Sequence, residues 1–254
     1  MFNPQEAIDY FNNYITPKRD KINNYQLVIT GCIGSGKTTL LNELIKIFHE
    51  FQPVIIHEYL EADKQLGPLI LSNFINKTIS PLTMQNCILD IYENELKNSQ
   101  KSQFTFYERI PDDNLTIFTN LAYNNHEIDE NEFSILYKRT LKLNEKYNLP
   151  SYINHKSNFK KIVSTDLLDS ILIILKTISE DIDNGITSRI FGLSVSLEIC
   201  KLRIYRRNRE NENKYTDEYL SNIINTYDNI YNELTKKYYN INLMNIGKFV
   251  SNDY

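Results

Sequence analysis

The stretch that most constrains this chain covers residues 31–39 and reads Gly-Cys-Ile-Gly-Ser-Gly-Lys-Thr-Thr. It matches the phosphate-binding pattern Gly-x-x-x-x-Gly-Lys-Ser/Thr, in which glycines let backbone N–H groups turn inward on an anion. Residues 25–30 form a short apolar run typical of a buried strand, and residues 40–48 have the apolar spacing of a helix. The pattern alone also fits a tight glycine-rich turn, but strand, loop and helix together predict a site for a nucleoside triphosphate.

The positions within this phosphate loop have separate chemical roles. Lys37 would reach the outer phosphates, and the Thr38 hydroxyl would face Mg²⁺. The positive end of the following helix adds to the attraction for the anion. We therefore expect bound ATP to contact Gly31, Gly34, Ser35, Gly36, Lys37, Thr38 and Thr39.

Further apolar runs predict the other strands of a sheet, at residues 53–58, 104–109, 189–195 and 241–246. Helical spacing separates them, over residues 74–97 with a break at 76–81, and over residues 114–123, 130–147 and 216–238.

Residues 148–186 are harder to interpret, because the apolar run at 167–178 fits one helix or two strands. Strands alternating with helices predict an α/β fold, with a five-stranded parallel sheet flanked by helices. Repeats, low-complexity tracts and linkers are absent from the sequence, so we expect one domain over residues 1–254.

The composition argues against several classes of partner. A net charge of −4 gives no basic field for nucleic acid or a membrane surface. The longest apolar run, residues 171–175, is too short to span a bilayer. The three cysteines, Cys32, Cys87 and Cys200, lack the spacing of a zinc site or a disulfide framework. With no signal-peptide pattern at the N-terminus, we expect a cytoplasmic protein with reduced thiols.

Charged residues follow the second and third predicted strands. Glu58 ends one of them, where a carboxylate could take a proton from a hydroxyl attacking the γ-phosphate, or could simply face solvent. Glu108 and Arg109 end the other. The acid could hold Mg²⁺ and the guanidinium could neutralise phosphate charge, although a structural ion pair is the alternative. In parallel sheets ligands sit at the carboxyl ends of the strands, so these residues should meet the phosphate loop.

Residues 203–209 form a basic run inside an acidic protein. Four arginines lie within seven positions, at Arg203, Arg206, Arg207 and Arg209. Arginines that close over a transferring phosphoryl group stabilise its negative charge, whereas the alternative is a solvated helix face.

Taken together, these residues resemble the deoxynucleoside kinase family, whose members phosphorylate the 5′-hydroxyl of deoxynucleosides. The resemblance covers most of the chain, and its motifs come in the family's order. Glu58 follows the phosphate loop where the family has its catalytic base. The triplet from Glu108 to Ile110 resembles the family's acid-Arg-Ser motif. There the acid serves Mg²⁺ and the arginine, here Arg109, serves the region of the substrate 5′-oxygen.

Two residues match the family's base-binding positions. Gln85 corresponds to the glutamine that pairs with the edge of the nucleobase, and Phe118 falls where an aromatic ring stacks on the base.

Residues 196–212, followed by 217–220, resemble the family's arginine-rich lid. By this resemblance Arg203, Arg207 and Arg209 contact phosphates, and Glu212 contacts the sugar 3′-hydroxyl.

The resemblance implies a P-loop kinase fold, ATP with Mg²⁺ as cofactors, a small deoxynucleoside substrate and a homodimer. The implied metal ligands are Thr38 and Glu108. The implied catalytic residues are Glu58, Lys37, Arg109, Arg207 and Arg209.

The chain departs from the family pattern around the substrate. Tyr59 replaces the proline after the catalytic base, Ile110 replaces a serine, and the chain has no tryptophan. Tyr92 and Asn114 occupy positions that help choose the base, and match neither the Asp and Arg pair nor the small apolar set. Residues 148–186 are also longer than the family's usual connection.

Phe74 sits where the family has a tyrosine that helps hold the sugar 3′-hydroxyl. The substitution predicts that Glu212 is the only side chain left to contact that group.

We therefore expect an ATP-dependent deoxynucleoside kinase that acts in nucleotide salvage. One alternative is a thymidylate-like kinase acting on a nucleoside monophosphate, although that would favour a further basic residue where Glu58 stands. The other is a catalytically degenerate nucleotide-binding protein. A GTPase switch is disfavoured, because neither Asn-Lys-x-Asp nor an obvious Asp-x-x-Gly follows a strand.

Overall fold

A computed structural model describes residues 4–154, 158–164, 166–209 and 212–236. In this part of the chain five strands form one sheet in which every neighbouring pair is parallel. The strands are β1 (Tyr25–Gly31), β2 (Val54–Ile56), β3 (Phe104–Glu108), β4 (Asn158–Ile162) and β5 (Ser188–Leu193). Their spatial order is β2-β3-β1-β5-β4, so β1, which leads into the phosphate loop, lies at the centre.

Helices connect the strands. In chain order they are α1 (Gln5–Tyr14), α2 (Lys37–Ile47), α3 (Tyr59–Ala62), α4 (Leu66–Ile75), α5 (Pro81–Asn98), α6 (Pro111–Asp113), α7 (Asn120–Asn124), α8 (Glu130–Lys146), α9 (Leu167–Asp183), α10 (Leu197–Arg207) and α11 (Asp217–Leu234). A π-helical segment, Asn114–Thr119, joins α6 to α7, and short 3₁₀ turns cover Thr16–Lys21, His49–Phe51 and Glu212–Lys214.

The sheet is buried on both faces. Side chains alternate along β1, so Leu27 and Ile29 join one apolar core while Val28 joins another. The first core is completed by α1, α2 and α9, and the second by α5, α10 and α11. Burial on both faces explains why β1 and β3 are largely apolar and why their few polar residues are also buried.

The structure confirms the predicted α/β fold, and it resolves the segment that the sequence left open. The apolar run at residues 167–178 lies in the single helix α9, whose N-cap Asp166 accepts the backbone N–H of Asp169. The sequence missed β4. Only Phe159 and Ile162 are apolar in this edge strand, and one of its two long sides has no strand partner in the described sheet.

The other predicted elements have mixed outcomes. The strands predicted at residues 53–58, 104–109 and 189–195 are confirmed with changed bounds, since β2 is half the predicted length and β5 begins one residue earlier and ends two residues earlier. The helix break at 76–81 separates α4 from α5. The strand predicted at 241–246 lies outside the described residues. No helix in the described ranges has the length and apolar character needed to span a membrane.

Candidate active site

A cavity of about 1150 Å³ opens at the carboxyl ends of β1, β2 and β3. The phosphate loop, Glu58 after β2, Glu108 at the end of β3 and the arginines of residues 203–209 all line it. Ligands occupy this edge in open parallel sheets, because the loops leaving neighbouring strands diverge there. The cavity therefore collects the charged residues that the sequence singled out.

The phosphate loop is tightly packed against α10. Gly34 and Gly36 have φ angles of 75° and 99°, which residues with a side chain rarely adopt. A Cβ atom on Gly34 would lie 2.8 Å from the backbone oxygen of Cys200 in α10. The Sγ atoms of Cys32 and Cys200 are 3.2 Å apart, and both thiols are free. The glycines therefore allow the loop to adopt positive φ angles, and Gly34 also leaves room for α10 to pack closely against the loop.

Lys37 is buried at the start of α2, with 5% of its surface exposed. Its Nζ donates to the backbone oxygen of Cys32 at 3.1 Å and lies 3.9 Å from Glu58 Oε2. Burial, together with the nearby Arg109, lowers the pKa of Lys37 below its usual value. The ammonium group is thus held under the loop, where a phosphate chain would satisfy its charge.

Glu58 and Arg109 form an ion pair across the ends of β2 and β3, with 2.8 Å between Oε1 and Nη1. Arg109 also donates to the backbone oxygen of Gly31 at 3.1 Å, and its φ angle of 66° turns the chain at the end of β3. Burial would raise the pKa of Glu58, but Arg109 and Lys37 outweigh it and hold the pKa below its usual range. The carboxylate therefore stays ionised at neutral pH.

Glu108 and Thr38 meet beside this ion pair. The Thr38 hydroxyl donates to Glu108 Oε1 at 2.6 Å, while the buried Oε2 has no hydrogen-bond partner among the described residues. Burial and the neighbouring Glu58 raise the pKa of Glu108. An unpartnered carboxylate oxygen next to a threonine hydroxyl fits Mg²⁺, which takes few protein ligands and binds mostly water and phosphate oxygens. Among the described residues, no group of three His, Cys, Asp or Glu side chains is placed to hold a metal ion.

Three of the four arginines in residues 203–209 have different partners. Arg203 donates to the backbone oxygen of Ser35 at 2.6 Å, so it already touches the phosphate loop. Arg207 pairs with the buried Glu212 at 2.5 Å. Arg209 pairs with Glu61 in α3 and approaches Glu212 at 3.5 Å.

Two amide side chains and an aromatic ring also line the cavity. Gln85 in α5 and Asn114 at the start of the π-helical segment line it, together with Phe118. The guanidinium of Arg109 lies 5.2 Å from the centroid of the Phe118 ring. Gln85, Asn114 and Phe118, which the resemblance places at the base, therefore line the same cavity as the phosphate loop.

Two tyrosines line the cavity together with Phe74. Tyr59 and Tyr215 belong to the same apolar cluster as Phe74. Neither phenol has a hydrogen-bond partner among the described residues. Burial raises the pKa of Tyr215 well above the ordinary value, with Tyr59 adding to the shift. Both phenols are further polar groups beside Phe74, and contact of the sugar 3′-hydroxyl by Glu212 alone stays a prediction. Tyr59 could have been noticed in the sequence, because it directly follows Glu58.

A buried carboxylate network that the sequence did not reveal supports the site from behind. Asp113 accepts from the Thr30 hydroxyl at 2.5 Å and from the backbone N–H of Ile110 at 3.0 Å, which ties α6 to β1. Asp112 accepts from the backbone N–H groups of Tyr152 and Ile153. In the sequence, the only sign of this network is that Asp112 and Asp113 are adjacent acids. That pattern does not identify the distant groups that donate hydrogen bonds to them.

The parallel sheet, phosphate loop and phosphate-facing cations define a nucleotide-binding α/β protein of the P-loop type. The family model described as deoxynucleoside kinase matches residues 27–165, and the chain belongs to this family. It is accordingly a kinase that binds nucleotides.

Two solved structures are similar in fold. One is deoxyadenosine kinase from M. mycoides with bound dATP, at 17% identity and a TM-score of 0.53, covering 83% of this chain and 85% of that one. Another is deoxyadenosine kinase from M. mycoides with the products dCMP and a flexible dCDP, at 16% identity and a TM-score of 0.55, covering 84% and 86%. No curated protein sequence matches this chain.

Proposed function

We propose that this protein transfers the γ-phosphoryl group of ATP to the 5′-hydroxyl of a deoxynucleoside, giving the deoxynucleoside monophosphate. The observation that carries this proposal is the Glu58–Arg109 ion pair of 2.8 Å, with Lys37 Nζ 3.9 Å from the same carboxylate. One ionised carboxylate between two cations, beside a phosphate loop, suits a hydroxyl nucleophile that must lose a proton while phosphate charge is neutralised.

Glu58 would accept the proton of the 5′-hydroxyl. Its low pKa keeps it ready as a carboxylate, and proton removal late in a loose phosphoryl transfer does not require a strong base. Arg109 would hold that carboxylate and lie near the 5′-oxygen. Lys37 would neutralise charge on the outer phosphates, since it is fixed below the loop by the Cys32 carbonyl.

The remaining phosphate contacts would come from the loop and from a lid formed by residues 203–209. Backbone N–H groups of the loop, including those of Gly34, Ser35 and Gly36, would hold the phosphate chain. Thr38 and Glu108 would hold Mg²⁺, whose contribution when bound is to neutralise charge on the phosphates.

Arg203, Arg207 and Arg209 would contact phosphates as the lid closes. Glu212 pairs with Arg207 and Glu61 pairs with Arg209, so ATP would compete with these carboxylates for the two arginines.

Gln85, Asn114 and Phe118 would receive the nucleobase, the ring by stacking and the two amides by hydrogen bonds. Phe74 would face the sugar, and Glu212 would accept from the 3′-hydroxyl. The family resemblance also leads us to propose one domain, a homodimer and a cytoplasmic location.

The test is ADP release with ATP and Mg²⁺, measured separately with the four deoxynucleosides and with their monophosphates. We expect turnover with nucleosides and little with monophosphates. Activity only on monophosphates would replace this proposal with a thymidylate-like kinase. Nucleotide binding without any turnover would indicate a degenerate, non-catalytic member of the family.

A further inference from the structure

The sheet ends before it reaches Glu58. Strand β2 lies at one edge of the sheet and spans only Val54–Ile56, and its pairing with β3 stops at Ile56 and Tyr107. Glu58 comes two residues later and is the N-cap of α3. The ladder of strand hydrogen bonds therefore does not fix the residue whose carboxylate forms the ion pairs at the phosphate loop.

A carboxyl group from another helix holds the backbone in this gap. The backbone N–H of His57 donates to Glu95 Oε2 at 2.7 Å. Glu95 lies in the last turn of α5, and α5 packs against β2. The connection between β2 and α3 is therefore tied to a second element of the fold at the residue just before Glu58.

The chain is also fixed just after Glu58. The backbone oxygen of Glu58 accepts from the N–H groups of Glu61 and Ala62, both at 2.9 Å. The side chain of Glu58 makes no capping hydrogen bond, so its carboxylate is left for the ion pair with Arg109. The His57 N–H on one side and the first turn of α3 on the other thus set the direction in which the Glu58 side chain leaves the backbone.

This direction matters for proton transfer. A general base must come within about 2.6–3.2 Å of the hydroxyl that it deprotonates. A displacement of about 1 Å, even from a change far from the reacting atoms, can cost on the order of a hundredfold in rate. Without its acceptor the half-buried His57 N–H would shift toward water, and Glu58 would move with it.

We propose that Glu95 is a positioning residue for phosphoryl transfer, because its hydrogen bond to the His57 N–H aims the Glu58 carboxylate at the attacking hydroxyl. This proposal rests on the proposed function and adds a residue to its mechanism. Glu95 is not among the described residues that line the cavity, so it acts through the backbone rather than on the substrate.

The experiment compares kcat and the KM for ATP in Glu95→Ala and Glu95→Gln. Alanine removes the acceptor, whereas glutamine keeps an oxygen that can accept from the His57 N–H. Glu95→Ala should lower kcat by ~10-fold or more and leave the KM for ATP within about twofold of the wild type. Glu95→Gln should restore kcat to within about threefold of the wild type.

Glu93→Ala is the matched control. It removes another carboxylate of α5, one that pairs with Lys146 at 2.7 Å rather than with the backbone before Glu58. Its kcat should equal that of the wild type. If Glu95→Ala does not fold, Glu95→Met keeps the length of the side chain without the oxygen acceptor, and the same fall in kcat is expected.

A double-mutant cycle separates positioning from a general loss of structure. In the Glu58→Gln background the base is already absent, so adding Glu95→Ala should lower kcat little further. A damaged fold would instead lower kcat by the same factor in both backgrounds. Urea unfolding of each variant gives the conditions under which all of them are folded.

Wild-type kcat in Glu95→Ala would overturn the inference while leaving the proposed kinase activity intact. Equal losses in the two backgrounds would overturn it as well, and so would a Glu95→Gln variant as slow as Glu95→Ala. Absence of turnover by the wild type with every nucleoside would refute the proposed function itself, and the inference with it.

Discussion

Replacing Glu58 by glutamine is the sharpest single perturbation of the proposed mechanism. The change keeps the size of the side chain and its ability to accept a hydrogen bond from Arg109, now 2.8 Å away. It removes the negative charge and the ability to take a proton. A positioned general base typically contributes about 10²–10⁴-fold, so we expect kcat to fall by that factor.

ATP binding should not fall with kcat in this variant. The substitution leaves Lys37 and Arg109 with one anion fewer, and added phosphate charge would compensate both cations. We therefore expect an ATP dissociation constant that is unchanged or lower, measured by calorimetry. The folded state loses a charged hydrogen bond, which is worth ~1–3 kcal/mol, so denaturant unfolding should be recorded in parallel.

The control is Glu93→Gln, which removes another ion-paired carboxylate. Glu93 pairs with Lys146 at 2.7 Å on α5 and α8, and it does not line the cavity. Its kcat should match the wild type. If Glu58→Gln turns over within a factor of three of the wild type while remaining folded, Glu58 is not the base and the reasoning from its position is wrong.

Three further variants test the phosphate site and the supporting network. Lys37→Ala should lower kcat by about 10²–10³-fold, because a group that stabilises charge in the transition state is lost, and unchanged turnover would contradict the assignment. Asp112→Asn should destabilise the protein by ~1–3 kcal/mol in urea unfolding, since the oxygen that accepts from the Asn144 amide is replaced by a second donor. Burial, assisted by Glu108, raises the pKa of Glu95 to about 7, so the folded wild type favours the protonated acid and loses stability as pH rises from about 5 to 7. Glu95→Gln removes this titration, so the stability of the variant relative to the wild type should be greater at pH 8 than at pH 5. The measurement is the difference in urea midpoint between the two proteins at each pH. The same difference at both pH values would exclude a raised pKa of Glu95.

The sequence predicts the central part of the fold because several independent signals coincide there. Residues 31–39 constrain the strand before them and the helix after them, and both the strand and the helix are confirmed. Strand β4 could not be predicted in the same way. It lies at an edge and is largely half-buried, so selection for an apolar run is weak, and its pairing with β5 depends on long-range contacts.

The sequence predicted many of the residues that line the cavity, but it did not predict which of them form ion pairs with each other. Charges at strand ends identify Glu58 and Arg109 as neighbours of the phosphate loop, yet nothing local shows that they bind each other rather than solvent. Tyr215 illustrates the limit more clearly. Tyr215 lines the cavity because the chain after α10 returns to it, and no sequence pattern indicates that Tyr215 lies near Phe74.

The most direct measurement of the central claim is the position of the transferred phosphate. Wild-type protein, ATP, Mg²⁺ and a deoxynucleoside should be incubated together, and the product examined by phosphorus–proton correlation NMR. We expect one new phosphomonoester coupled to the two 5′-protons of the sugar, and its near absence with Glu58→Gln. A phosphate coupled to the 3′-proton, or a diphosphate formed only from an added monophosphate, would contradict it.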